Sequence, residues 1–177
     1  MRYFFNITLL FLVTLLVTNC SNMKPEDYKN TKPIIKIEEY FQGNVKAWGI
    51  LQGRSGEVKR QFVADMKGEF NGQNLILDET FIWNDGEKQE RRWTIKKVGD
   101  NRYEGTAADV VGIANGVSYG SAFKFEYKLL IPYKGKKIKV RFDDWIFKQD
   151  DKIAINRAKI TKFGFKVGEL TVFFTKD

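Results

Sequence analysis

The chain has 177 residues, with 30 Lys and Arg against 22 Asp and Glu, and a formal net charge of +8. It has no histidine and one cysteine, so it can build no Ser-His-Asp or Cys-His nucleophile, no Cys/His zinc site and no internal disulfide. Catalysis would be left to carboxylates, Lys, Tyr and Ser, so a non-catalytic role without a cofactor is expected.

Residues 1–19 have the anatomy of an export signal. Arg2 is their only charge, and the apolar run Ile7–Val17 is short for a membrane-spanning helix. The run closes on Leu16-Val17-Thr18-Asn19-Cys20, which resembles the lipobox of bacterial lipoproteins. That resemblance implies cleavage before Cys20, a diacylglycerol on its thiol and an acyl chain on the new amino terminus. Such an anchor is far firmer than the marginal binding that one chain gives. Asn19 departs from the Gly, Ala or Ser usual at its position, and an ordinary secretory signal or an uncleaved anchor is the alternative. Ser21, rather than Asp, follows the cysteine and favours the outer membrane, facing the periplasm.

Cleavage would remove one basic residue and no acidic one, leaving +7. The lysines are scattered on alternate strand positions, which reads first as solubility and second as attraction to anionic headgroups. A nucleic-acid partner is not expected for an exported chain, and a monomer is.

Residues 20–33 are polar, contain Pro25 and Pro33, and read as a lipidated tether. Residues 34–177 read as one domain. Ile34–Phe41 carries a short helical stripe ended by Gly43, expected as a plug or lead-in packed on the domain. From Asn44 onward the hydrophobic period is two. Strands are expected near 45–52, 57–67, 73–83, 89–98, 102–109, 119–131, 136–147, 152–162 and 167–175. Turn signals separate them, including Gly53-Arg-Ser-Gly56, Asn71-Gly72, Asp85-Gly86, Pro132-Tyr-Lys-Gly135 and Gly164. The connections suit antiparallel neighbours, and closure removes exposed edges. The expected fold is therefore an all-β, antiparallel up-and-down barrel of about eight or nine strands, with a two-sheet sandwich as the alternative.

Strand parity predicts what faces inward. Ile138, Val140, Phe142 and Ile146 share a face with Asp144, and Leu75, Leu77, Phe81 and Trp83 share one with Glu79. Phe62, Ala64 and Met66 share a face with Arg60, Trp93 and Ile95 with Arg91, and Ile153 and Ile155 with Arg157. Phe123, Phe125, Tyr127, Leu129 and Ile131 form another inward face, and Asp109 extends the charged set. Two outcomes are open. The charges satisfy one another as a structural network, or some of them form a polar pocket for an anionic headgroup, a role that suits the planar Arg fork. Either depends on unbroken register, since one bulge reverses every later position in a strand. Trp48 and Trp145 are expected to pack rather than to stack on a ligand.

The phrases Ala47-Trp48-Gly49-Ile50-Leu51-Gln52-Gly53-Arg54-Ser55-Gly56, Leu77-Asp78-Glu79-Thr80-Phe81, Tyr103–Gly112, Asp143-Asp144-Trp145 and Ile155-Asn156-Arg157 resemble a proteobacterial envelope-lipoprotein family, a domain of unknown function. The resemblance covers 36–177 and implies a single exported domain with a lipid-related role. It brings no catalytic residues. The barrel is also similar to the lipocalin or calycin architecture, although Lys46-Ala47-Trp48 does not meet the lipocalin Gly-x-Trp signature. The resulting expectation is an anchored barrel that binds a fatty acid, phospholipid or similar lipid, with Arg60, Glu79, Arg91, Asp109, Phe125, Tyr127, Asp144 and Arg157 lining the site. The alternative is a packed barrel with a surface partner site, for which Asp143, Trp145 and Phe147 form a candidate outward patch.

Overall fold

A computed structural model describes residues 23–176. The expected signal segment and Cys20 lie outside these described residues. Ten strands form one closed antiparallel barrel: β1 Gly43–Gly53, β2 Val58–Phe70, β3 Asn74–Trp83, β4 Lys88–Lys97, β5 Arg102–Thr106, β6 Ala114–Tyr119, β7 Ala122–Tyr133, β8 Lys136–Lys148, β9 Ile153–Lys162 and β10 Phe165–Lys176. Each strand pairs with its neighbour in sequence, and β1 pairs with β10 to close the ring. The barrel is the lipocalin-like, up-and-down kind, and the sandwich alternative is excluded.

The additional strand is β6, which lies in the stretch between 109 and 119 where no strand is expected. The run expected over 119–131 is β7, joined to β6 by Gly120-Ser121. Gly120 has φ +50°, and an added Cβ there would lie 1.9 Å from the Tyr28 carbonyl oxygen. Only glycine meets both conditions, and a glycine opening a two-residue turn suits the twist of a hairpin.

The alternation of side chains fills the interior. Leu75, Leu77, Phe81, Phe123, Phe125, Tyr127, Leu129, Val140 and Phe142 are all buried. Inward glycines make room for the rings: a Cβ on Gly49 would meet the Phe62 ring at 2.2 Å, and one on Gly105 the Phe125 ring at 2.5 Å.

One end of the barrel is sealed by the lead-in. A short helix, Ile37–Tyr40, together with Ile35 and Phe41, is buried there. Ile35 N donates to the Gly120 carbonyl at 2.8 Å, Ser118 Oγ to the Ile35 carbonyl at 2.7 Å, and Tyr40 Oη to the Lys152 carbonyl at 2.9 Å. Glu38 sits buried in the plug and accepts from Lys97 Nζ at 2.7 Å and Tyr103 Oη at 2.8 Å. Burial pushes the Glu38 pKa up, but these two bonds and its backbone hydrogen bond outweigh it and hold the group below its ordinary value. Residues 23–176 thus complete a closed barrel with its own plug and core.

The stretch expected as a free tether is partly docked on the outer wall. Pro25–Tyr28 forms a 3-10 turn, and the Tyr28 ring lies 5.9 Å from Trp145 and 5.5 Å from Phe147. Thr31 Oγ1 accepts from Ser121 N at 2.9 Å. Trp145 is therefore only 6% exposed, which corrects the expectation of an outward Trp145 patch. Beyond this cover, the register aligns Phe147, Ile155, Phe173, Trp48, Val63 and Ile82 in one outward row across β8, β9, β10, β1, β2 and β3. Trp48 packs in that row against Phe173, ring centroids 6.0 Å apart, and does not reach the interior.

Candidate functional site

Six of the expected residues converge inside the barrel, five of them polar and the sixth Phe125. Glu79 on β3 and Arg91 on β4 are direct cross-strand partners, and Arg91 Nη1 lies 3.7 Å from Glu79 Oε2. Asp109 enters from the β5–β6 connection. That connection is held against β7 by the Val110–Leu129 bridge, by Leu130 N donating to the Asp109 carbonyl at 2.9 Å and by Val111 N donating to the Lys128 carbonyl at 2.8 Å. This fixes the Asp109 carboxylate, which accepts from Arg91 Nη2 at 2.8 Å and Nε at 3.1 Å through the same oxygen. Tyr127 on β7 donates its hydroxyl to Asp144 Oδ2 on β8 at 3.0 Å. Asn156 on β9 donates to the other Asp144 oxygen and to the Trp145 carbonyl.

Rings surround the polar groups. Tyr127 stacks on Phe142 at 5.1 Å with 6° between planes, and Trp93 meets it edge-on at 5.3 Å. The Arg91 guanidinium lies 5.7 Å from the Phe81 ring centroid. Phe125 packs between Trp93, Phe123 and Tyr127 as part of the same aromatic cluster.

The set is unbalanced: three carboxylates share one guanidinium. Glu79 Oε2 and Asp109 Oδ1 are buried and accept no hydrogen bond. Burial pushes the Glu79 pKa up to about 7; Arg91 opposes the rise, while Asp109 and Asp144 add to it. Burial also lifts Asp144 to about 6, against the Asn156 and Tyr127 hydrogen bonds. The Tyr127 phenol is driven well above its ordinary value, first by burial and then by the neighbouring Asp144. Burial alone would lower the Arg91 pKa, but Glu79 and Asp109 hold it above its ordinary value. Among the described residues no three acidic or thiol groups are placed to hold a metal ion.

Burial is deep along the whole barrel, from Val45 near the plug to Leu129 and Val140 near the open end. Ile35, Ile37 and Leu75, at the plugged end, are each 1% exposed. Phe62, Glu79, Phe81, Tyr127 and Phe142, farther towards the open end, retain 6–9%. The Arg91 side chain retains 17% and that of Asp109 30%. The polar cluster therefore lies within the packed aromatic interior, with Arg91 and Asp109 as its more accessible members.

Two expected site residues do not join the cluster. Arg60 keeps the inward parity but sits at the open end, where it bonds Asp85 at 2.7 Å and Glu87 at 2.9 Å and lies 4.0 Å over the Trp83 ring. Arg157 points outward, its side chain 66% exposed and 4.0 Å from Glu169, which corrects its inward assignment. On β9 the inward face is Ala154, Asn156, Ala158 and Ile160. The isoleucines at 153 and 155 gave the opposite parity because they lie on the outer wall, Ile155 in its apolar row. Asn156, which sequence reasoning missed, is signalled only by the small Ala154 and Ala158 that flank it.

The fold has counterparts among solved structures at very low identity. A protein of unknown function from the DUF3598 family of Nostoc punctiforme aligns with a TM-score of 0.60 and 10% identity, covering 82% of this chain. The present chain spans about half of that one, 51%. An S-type phycobiliprotein lyase from Guillardia theta aligns with a TM-score of 0.58 and 8% identity, covering 88% of this chain and 98% of the lyase. Among curated proteins none matches the sequence. The family model of DUF3833, described as proteins of unknown function, matches residues 14–176, and the chain belongs to that family.

Proposed function

We propose that the barrel binds one apolar, lipid-like molecule whose polar end donates hydrogen bonds to Glu79 and Asp109. The observation that carries this is the buried Glu79 Oε2, which has no donor in an otherwise aromatic interior. Buried acceptors are nearly always satisfied, so an unfilled one marks the place for a donor. Sites for such ligands are mostly apolar with a few placed polar groups, which is the composition here.

The geometry refines the ligand expected from sequence. An ionised fatty acid would bring a fourth carboxylate to a cluster whose single guanidinium is already engaged by Asp109 and Glu79. A hydroxyl- or amine-bearing lipid supplies what the cluster lacks. The protein acts as a carrier rather than an enzyme: Tyr127 and Asn156 hold Asp144 in place as an acceptor. We further propose export to the cell envelope and attachment to the outer membrane through Cys20, on the strength of the lipobox-like run Leu16–Cys20.

Native mass spectrometry with lipid extraction, on the chain from residue 21 made in the periplasm, tests the binding reading. A stoichiometric neutral or amine-bearing lipid, lost in Glu79→Leu, is the expected result. A protein that stays empty after incubation with envelope lipid extract would refute it.

A further inference from the structure

The open end of the barrel carries a surface that the interior site does not use. Two adjacent hairpins, β7–β8 and β9–β10, project there, and β8 pairs directly with β9. Phe163, at the β9–β10 tip, is 89% exposed, and Phe165 is 72% exposed. Tyr133, at the neighbouring tip, is exposed as well. Phe163 holds a left-handed backbone, φ +51°, which projects a large apolar ring from a turn where a small polar residue is the usual choice.

The same tips are cationic. Segments 130–140 and 159–168 contain no Asp or Glu. Lys134, Lys136, Lys137, Lys139 and Lys162 make no ion pair among the described residues, and Lys166 pairs with Glu169 at 2.8 Å at the base of the hairpin. Lys162 lies 5.4 Å from the Phe163 ring and Lys134 5.5 Å from the Tyr133 ring. Exposed rings at a tip, flanked by lysines whose long stems let the ammonium rise to headgroup level, match a membrane interface.

We propose that these two hairpins dock the open end of the barrel on an anionic lipid bilayer, with Phe163 and Phe165 entering the interface and Lys134, Lys136, Lys137, Lys139 and Lys162 meeting the headgroups. Charge complementarity selects the occupant. The two hairpin tips carry lysines and no acids, which suits a negative surface. The acids of the other open-end tips, Glu57, Asp85 and Glu87, are paired with Lys59 and Arg60. Isolated protruding rings suit a soft interface better than a flat protein face. Docking would set the open end against the source of a lipid ligand, but it stands independently of what the interior holds.

The test is sedimentation of the chain from residue 21, which lacks Cys20, with vesicles of phosphatidylcholine alone or mixed with phosphatidylglycerol. Binding only to the anionic vesicles is expected, and it should weaken as salt is raised. Each lysine near such a surface contributes roughly fivefold, so Lys134→Gln, Lys136→Gln and Lys137→Gln together should weaken binding about a hundredfold. Phe163→Ser with Phe165→Ser should weaken it about tenfold or more. Both variants change exposed tips only and should keep the wild-type unfolding midpoint. In a separate Phe163→Trp variant, the added indole should give a blue-shifted emission on anionic vesicles. Equal binding to both vesicle types, or no binding, would overturn the proposal. So would anionic binding that the Phe variant leaves unchanged, which would indicate a polyanion-binding surface without insertion.

Discussion

Glu79 offers the sharpest test of the interior electrostatics. Its carboxyl is raised from the ordinary 4.5 to about 7, chiefly by burial. The linkage sign follows from which state holds the proton. Below pH 4.5 both folded and unfolded chains carry it, and no cost arises. Between 4.5 and about 7 the unfolded chain releases the proton first, so stability falls as pH rises. Above 7 the full cost of ionising a buried carboxyl is present, on the order of 3 kcal/mol. Glu79→Gln keeps the shape, removes the titration and leaves Arg91 with Asp109. The variant should match the wild type near pH 4.5 and exceed it at pH 8 by about 3 kcal/mol, which is roughly 6–12 °C in Tm for a domain of this size. Thermal or urea unfolding across that pH range is the assay. A shallower slope should persist in the variant below pH 6, because Asp144 is lifted in the same sense. A Gln variant less stable than wild type at pH 8 would show that the Glu79 charge is needed as a partner for Arg91, and would refute the reasoning.

Two further outcomes follow from the same geometry. Arg91→Met leaves Glu79 and Asp109 without their shared cation and should cost about 3–5 kcal/mol at neutral pH, with the loss shrinking as Glu79 becomes protonated; Arg157→Met, on the outer wall, should stay within about 0.5 kcal/mol in the same urea titration. Tyr28→Ala uncovers Trp145 and should cost about 1–2 kcal/mol, with a red shift in tryptophan emission as the readout; an unchanged spectrum would mean that the 3-10 turn does not cover the wall in solution.

Much of the barrel is legible in the sequence because alternation is a local property. Glu79, Arg91, Tyr127 and Asp144 each lie in a strand whose inward partners are large and apolar, so parity places them correctly. Arg157 fails the same test. Its strand carries isoleucines on both faces, and only pairing with β8 and β10 decides which face is inside. Asn156 is hidden for the same reason. Strand β6 was missed because Ala114–Tyr119 is short and carries Asn115, Gly116 and Ser118, a weak alternation. The need for glycine at 120 becomes visible only when the Tyr28 carbonyl is seen against it.

By itself, the sequence determined the all-β class, the period-two strands, the plug at Ile34–Phe41 and the lack of imidazole and of any thiol beyond Cys20, since each depends on composition or near-neighbour pattern. Only the tertiary structure decided the count of ten strands, the burial of Trp145 beneath Tyr28, the outward turn of Arg157 and the convergence of three carboxylates on one guanidinium. These depend on contacts between residues far apart in the chain, such as Arg91 with Asp109 and Tyr127 with Asp144, whose spacing no local periodicity records.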